Sequence, residues 1–355
     1  MSSSSTKPHL RFLIPPESLR VGGLDLAIRG LASALITLDW KVTLLEEGCP
    51  LPAETDLLHI HGIWRPKAAR LARQATRRGI PYLVSPHGML EPWARHSKRL
   101  KKSLYFRLIE SRTLRKAQTI LTTSDQETRN LASFAPALAA ACRAIPLGID
   151  PPPEIPSRAD CRKALGLPEH ERILLYLSRV DRKKGLDLLL RALAETPNHG
   201  IDRLVVVGDG DPAFLRELQT FASSASDTSL PVVDWIGAVW GNKKWLHLKA
   251  ADLFCLPTHS ENFGFAVLEA AMMGTPALTT ANTPWAQWGE EVADVHIIPE
   301  ASVAAISQAL PAVSSSLSAD SSADLAHWAR ENFLWEKVVS RYQTMYQELL
   351  RRAPD

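Results

Sequence analysis

Ser260-Glu-Asn-Phe-Gly-Phe-Ala-Val-Leu-Glu-Ala-Ala-Met-Met-Gly-Thr-Pro276 sets two carboxylates, Glu261 and Glu269, around a glycine turn and an otherwise apolar run. An acidic side chain inside so apolar a helix needs a partner, because an unpaired buried carboxylate is costly. Just upstream, Asp252-Leu-Phe-Cys-Leu-Pro257 has the length and composition of a short buried strand. The unit is therefore strand, loop, helix, with Glu261 in the loop and Glu269 in the helix. In open α/β sheets ligands gather at the carboxyl ends of strands, where helix N-termini offer free N–H groups. Two hydroxyl-accepting carboxylates at such a place point to a sugar.

Working outward, short apolar runs alternate with helical patterns along the whole chain, which is the signature of doubly wound α/β sheets. In the first half, 9–14, 41–46, 56–61, 81–85 and 119–123 read as strands. Leu24, Ala27, Ile28, Leu31, Leu35 and Leu38 repeat at helical spacing behind Gly22-Gly23. Pro146-Leu-Gly-Ile-Asp-Pro-Pro-Pro153, with Pro156 close behind, is a stiff, helix-free linker. The alternation restarts with 172–178, 203–207, 232–236, 252–256, 276–280 and 295–298. The Ser/Ala-rich stretch from Pro311 to Ser322 reads as a surface connection, and an amphipathic helix spans about 335–352. Two Rossmann-like domains, 1–150 and 151–330, are expected to face across a cleft, followed by a C-terminal segment at 331–355.

The chain has 355 residues, 45% of them hydrophobic and 22% charged, as in a soluble protein of two domains. Cys49, Cys142, Cys161 and Cys255 form no CxxC pair, which argues against a zinc site or a disulfide framework and suits a reducing cytoplasm. No apolar stretch approaches the ~20 residues of a membrane span. Residues 1–150 carry 22 basic and 12 acidic side chains, against 19 and 26 in the remainder. The excess concentrates first in Arg65, Lys67, Arg70, Arg73, Arg77 and Arg78. It recurs across 93–116, where nine Lys and Arg, opposed only by Glu110, interleave with apolar residues like an amphipathic basic helix. Two readings stand for that segment: a docking face for an anionic membrane surface or lipid pyrophosphate, or a solvated helix face. No stacking platform accompanies the charge, so nucleic acid is not an expected partner.

Further signals lie at strand ends. Leu177-Ser-Arg-Val-Asp-Arg-Lys-Lys-Gly185 is a strand end and a basic loop before a helix, where Arg179 and Lys184 can meet a pyrophosphate. Val205-Val-Val-Gly-Asp-Gly-Asp211 holds a G-x-G turn and an Asp-x-Asp pair, without the full G-x-G-x-x-G spacing. With Pro212 directly after, it reads as a structural turn rather than a metal site. His59-Ile-His-Gly62 and Ser85-Pro-His-Gly-Met89 each end a strand with histidine before glycine, so His61 and His87 are candidates for substrate hydrogen bonds.

With these pieces in place, the chain resembles glycosyltransferase family 4, the glycosyl transferases group 1 enzymes of the two-Rossmann GT-B fold. The likeness takes in Gly22-Gly23, His87-Gly88, Thr123-Ser-Asp-Gln-Glu127, Ile145-Pro-Leu-Gly-Ile-Asp150, Arg179 with Lys184, Gly208-Asp-Gly210 and Glu261 to Glu269. Ser85 to Trp93 with the basic run behind it, and Thr283-Pro-Trp285, are similar to a subgroup that builds bacterial surface polysaccharide or lipopolysaccharide. Pro15 to Arg20 departs from the family's common N-terminal loop, and Lys41 replaces its usual Gly-His.

The resemblance implies a cytoplasmic transferase, peripheral at the inner membrane face, moving a hexose or related sugar from a nucleotide-sugar donor to a glycan or lipid-linked acceptor. It implies retention of anomeric configuration, with no cofactor and no metal. Arg179 and Lys184 would hold the donor diphosphate and Glu269 the ribose hydroxyls. Glu261, with the amides of Asn262, Phe263 and Gly264, would hold the sugar. Gly22 and Gly23 would approach the phosphate or acceptor, His87 the sugar's reactive face, and His61 the acceptor side. Same-fold phosphorylases or epimerases, and a silent nucleotide-sugar-binding subunit, are the alternatives. A nicotinamide-dependent oxidoreductase is disfavoured for want of the full glycine fingerprint.

Overall fold

Continuous apolar strands, rather than alternating ones, belong to parallel sheets covered on both faces. The computed structural model describes residues 7–16, 23–96, 99–225, 229–317 and 323–352. Among them the chain divides into two units, residues 1–150 with 332–355, and residues 151–331.

In the first unit β1 (His9–Leu13), β2 (Lys41–Leu45), β3 (Leu57–His61), β4 (Tyr82–Ser85), β5 (Thr119–Thr122) and β6 (Cys142–Ala144) form one parallel sheet, in the order β2-β1-β3-β4-β5-β6. Helices α1 (Gly23–Thr37), α2 (Pro66–Arg77), α3 (Pro92–His96), α4 (Arg99–Tyr105), α5 (Ser111–Lys116) and α6 (Asp125–Phe134) connect its strands. β6 escaped the sequence reading because it is three half-buried residues at the sheet edge, Cys142-Arg-Ala144.

The second unit opens with α7 (Arg158–Leu165) and β7 (Ile173–Leu177), then α8 (Leu186–Glu195), β8 (Arg203–Val207), α9 (Pro212–Ser224) and β9 (Val232–Gly237). It continues with α10 (Asn242–Ala250), β10 (Leu253–Leu256), α11 (Phe265–Met272), β11 (Ala277–Thr280), α12 (Trp285–Trp288), β12 (Val295–Ile298), α13 (Val303–Ser316) and α14 (Ala323–Phe333). Its parallel sheet runs β12-β11-β10-β7-β8-β9, so the chain order reverses between β7 and β10. That reversal is the topological switch point at which open α/β sheets bind ligands.

One expectation is corrected. The stretch from Pro311 is not a surface connection: through Ser316 it belongs to α13, with Leu310, Val313 and Ser314 buried, while 318–322 lie outside the described residues. Ser314 donates to the His199 carbonyl at 2.6 Å, so packing holds this turn helical despite an internal proline. The basic segment is helical as expected: after α3 and two residues outside the described set, residues 99–116 form an unbroken helical run in which α4 and α5 join through a single wide turn over Phe106–Glu110.

The last helix, α15 (Trp335–Arg351), counts with the first unit. Its first residue fits a notch made by two glycines: a Cβ at Gly30 or Gly148 would strike the Trp335 indole. Ile149 pairs with Leu334, and Trp335 N–H donates to the Ile149 carbonyl at 3.1 Å. The glycine in Pro146-Leu-Gly-Ile149 is thus required by the tryptophan it packs against.

Candidate functional site

At the switch point of the second unit, two loops are stitched by backbone bonds. After β7, Asp181 accepts from Lys183 N–H at 2.8 Å and caps the tight turn Arg182–Lys184. Gly185 follows with φ +72, and a Cβ there would strike the Pro257 carbonyl oxygen after β10. Only glycine meets both demands. His259 N–H and the Thr258 hydroxyl both donate to the Lys183 carbonyl, at 2.8 and 3.0 Å. This contact delivers Lys184 to Glu261, 77 positions on, where Nζ and a carboxylate oxygen form an ion pair. Their side chains are only 13% and 12% exposed, so solvent screens the pair little.

Behind Glu261 the loop is fixed from below. Glu261 N–H donates to the Asn282 carbonyl at 3.2 Å. Gly264 turns left-handed with φ +78 to start α11, and Trp285 packs where its Cβ would be. The Trp285 indole N–H donates to the Phe263 carbonyl at 3.0 Å, which gives Thr283-Pro-Trp285 a structural reason. Asn262, Phe263 and Gly264 therefore occupy a loop shaped by a buried tryptophan.

Glu269 has a partner that the sequence reading missed. Lys244, near the start of α10, donates to its carboxylate at 2.6 Å. Burial raises the Glu269 carboxyl above its ordinary value, and the Lys244 charge and hydrogen bond oppose that. The signal was there in the demand of a buried carboxylate for a cation, but Asn242-Lys-Lys244 reads as a solvated turn. Arg179 differs from both lysines: it is exposed, and its guanidinium has no hydrogen-bond or ion-pair partner among the described residues.

The Gly208-Asp-Gly210 turn is packing. Cβ atoms at 208 and 210 would strike the Ser178 and Val180 carbonyls, and Val180 N–H donates to the Asp209 carbonyl at 2.9 Å. Asp209 accepts from Gly210 N–H, and Asp211 caps α9 through Ala213 and Phe214. The turn braces the loop that carries Arg179.

In the first unit, β3 and β4 deliver a buried histidine array. His61 sits opposite Ser85 in the parallel register. Its Nδ1 lies 3.0 Å from His87 Nε2, and the two rings are nearly parallel. His59 bonds the Tyr346 hydroxyl of α15 at 2.9 Å and the Ser85 hydroxyl at 2.7 Å. Burial pushes all three histidines down, His87 to about 3, so the array is uncharged near neutrality. His87 adopts φ +51, which few non-glycine residues do.

A residue that the sequence analysis quoted only within a motif, without a role, fixes the next amide. Glu127, in the first turn of α6 behind its Ser124 cap, accepts from Gly88 N–H at 2.6 Å and Thr123 N–H at 2.8 Å. Thr123-Ser-Asp-Gln-Glu127 is thus the clamp on the His87-Gly88 turn. Gly23 begins α1, whereas Gly22 lies outside the described residues.

The basic surface is smaller than the sequence suggests. Arg65 is buried, ion-paired to Glu47 at 2.6 Å and bonded to the carbonyls of Ile14, His61 and Gly62. Glu110 is buried too, accepts from Trp64 N–H at 3.0 Å, and is raised by burial to about 7. Outward from the helical run at 99–116 stand Leu104 and Leu108, 61% and 56% exposed, with Lys101 and Arg107 exposed beside them. Lys98 lies outside the described residues.

Comparison with known proteins follows the same division. The family described as "Glycosyl transferase 4-like domain" matches residues 10–148, and "Glycosyl transferases group 1" matches residues 157–316. A D-inositol 3-phosphate glycosyltransferase of Xylanimonas cellulosilytica is 36% identical over 151 residues, 39% of this chain and 34% of that protein. Its namesake from Saccharomonospora viridis is 28% identical over 313 residues, 84% of this chain and 71% of that protein. Against several such relatives the match spans only about a third to a half of their length. Anabaena HepE, solved with UDP and glucose, superposes with a TM-score of 0.73 at 16% identity, over 96% of this chain and 100% of that one. Sucrose-phosphate synthase from Thermosynechococcus elongatus gives 0.75 at 21%, over 97% and 99%. At these identities the likeness shows the fold, which is GT-B. Matched by these two families over residues 10–148 and 157–316 and folded as its structural neighbours are, the chain belongs to glycosyltransferase family 4, the glycosyl transferases group 1.

Proposed function

We propose that this chain is a retaining glycosyltransferase that moves a hexose or related sugar from a nucleotide-sugar donor to a glycan or lipid-linked acceptor. The observation that carries the proposal is the set of charged groups around β7 and β10 of the second unit: Arg179 and the Lys184–Glu261 pair on the loops that follow these strands, and the Lys244–Glu269 pair on the helices either side of β10. A nucleoside diphosphate sugar needs cations for its phosphates and carboxylates for its ribose and sugar hydroxyls, and those are the groups present.

In the mechanism, charge grows on the departing diphosphate while the sugar passes through an oxocarbenium-like state. Lys184 and Arg179 would stabilise that charge without a metal, aided by the N-terminus of α8. Glu261 would hold the sugar and Glu269 the ribose, while His87, in the first unit, is proposed as a substrate contact. Retention by same-face attack requires no protein nucleophile, and none is assigned.

The acceptor reading draws support from Leu104, Leu108, Lys101 and Arg107, an exposed apolar and basic face suited to an anionic membrane surface. No helix among the described residues is long and apolar enough to cross a membrane. A second acceptor reading comes from the curated relatives, whose names specify D-inositol 3-phosphate.

The test is a thermal-shift screen of UDP-, GDP- and ADP-sugars, followed by turnover of the best binder with lipid-linked saccharides and inositol phosphates. A donor that stabilises the protein and whose sugar reaches an acceptor supports the proposal. A stabilising donor that is only phosphorolysed or epimerised favours a same-fold alternative, and binding without turnover favours a silent subunit.

A further inference from the structure

His61 and His87 share one hydrogen bond, and their outer nitrogens, His61 Nε2 and His87 Nδ1, are buried with no partner among the described residues. The two histidines line a cavity of about 10 Å³ with Ala27, Ile28, Leu31 and Tyr342 among others. Such a space holds at most one water, so no substrate group enters it. His61 itself is 2% exposed. It therefore cannot touch an acceptor directly, and any effect it has on the reaction must pass through His87.

What His61 does to His87 is set by backbone strain. A non-glycine residue in the left-handed region is strained and persists only where its surroundings determine it. At His87 the surroundings act from both sides. Glu127 takes the following amide, Gly88 N–H, while His61 Nδ1 takes the far nitrogen of the ring. His61 is in turn fixed by the tilted His59 ring, its centroid 3.8 Å away, and by Arg65, which bonds the His61 carbonyl. A ring tied inward through Nε2, with Nδ1 also buried, is not free to shuttle protons.

We propose that His61 is a positioning residue for transfer: its Nδ1 anchors the His87 ring and so holds the left-handed main chain at residue 87 that serves the substrate. The inference rests on the reading that His87 contacts substrate in a glycosyltransferase. It separates the two histidines, one at the substrate and one behind it.

The experiment compares His61→Asn with His61→Leu. An asparagine amide occupies the place of the histidine Nδ1, whereas leucine fills the volume and bonds nothing. The expected result is a loss in kcat of about 100-fold for His61→Leu, the scale of a misplaced contact, at unchanged KM for the donor. His61→Asn should recover to within about threefold of wild type, since its amide keeps the bond. Wild-type kcat in His61→Leu, or equal losses in both variants, overturns the proposal.

A second readout needs no activity. ¹³Cα and imidazole ¹⁵N shifts of His87 should move in His61→Leu and stay in place in His61→Asn. Unmoved shifts in His61→Leu overturn the inference even where turnover is absent. A wild-type protein without transferase activity, but with these shift changes, would refute the functional reading and leave the positioning role standing.

Discussion

The second unit offers its ligand charge, and the first unit holds its histidine array neutral. The loop after β7 carries Arg179, which has no partner among the described residues, and Lys184, paired to Glu261 after β10, while α10 and α11 on either side of β10 hold the Lys244–Glu269 pair. At the ends of β3 and β4, three histidines, a serine and a tyrosine share hydrogen bonds with no charge among them near neutrality. The contrast follows from what each must do. A group that neutralises a phosphate has to be ionised before the ligand arrives, and a buried cation without a partner would lose its proton or unfold the site. Glu261 and Glu269 partner Lys184 and Lys244 in the interim, so each pair serves as a holding arrangement as well as a binding group. A group that only fixes the backbone is better uncharged, since it then adds no desolvation cost.

The largest expected effect comes from breaking the charged side. Arg179→Ala should lower kcat by about 100-fold or more, corresponding to ~3 kcal/mol of lost transition-state stabilisation. Because Arg179 is exposed and unpaired, its melting temperature should stay near that of wild type. A variant that keeps turnover would remove the diphosphate role from this residue.

Lys244→Met attacks stability next, and its pH dependence carries a sign. Burial holds the Glu269 carboxyl above its unfolded value of 4.5, and Lys244 opposes this. Ionising Glu269 therefore costs stability as pH climbs above 4.5, and the cost grows once Lys244 is gone. Denaturant titration should show a deficit of about 3 kcal/mol at pH 8, as when one partner of a buried pair is removed. The deficit should shrink towards pH 4.5. A deficit independent of pH would mean that the pair does not matter.

On the neutral side the numbers are smaller. Tyr346→Phe removes the hydroxyl bonded to His59 and should cost about 1 kcal/mol in chemical unfolding, with kcat unchanged. A drop in kcat would show that the array reaches further into the chemistry than positioning. Least of all should a chelator matter: with Arg179 and Lys184 carrying the diphosphate, EDTA is expected to leave turnover within experimental scatter, and a loss would call for a metal.

Much of this was legible from residue spacing. Glu261 and Glu269 could be placed on a loop and a helix because strand, glycine turn and apolar run follow one another without interruption. Lys184 could be placed in the same site as a diphosphate cation, but its ion pair with Glu261 depends on the Gly185–Pro257 approach and on the bonds of Thr258 and His259 to the Lys183 carbonyl. What stayed hidden depends on contacts between distant segments. Lys244 stands 25 positions before Glu269 in what reads as a polar turn. Tyr346 meets His59 across 287 positions. Gly30 and Gly148 carry no mark of the tryptophan that fills both notches. Pro311 was misread for the converse reason, since local propensity pointed one way and packing on its helix decided otherwise.

The central claim is that the second unit's switch point binds a nucleoside diphosphate sugar and that Lys184 and Glu261 take part in breaking its glycosidic bond. Single-turnover release of nucleoside diphosphate from the stabilising donor, in wild type, Lys184→Ala and Glu261→Ala, tests it most directly. The account predicts that each substitution slows release by about 100-fold or more while the protein stays folded. Release at the wild-type rate in both variants would contradict it.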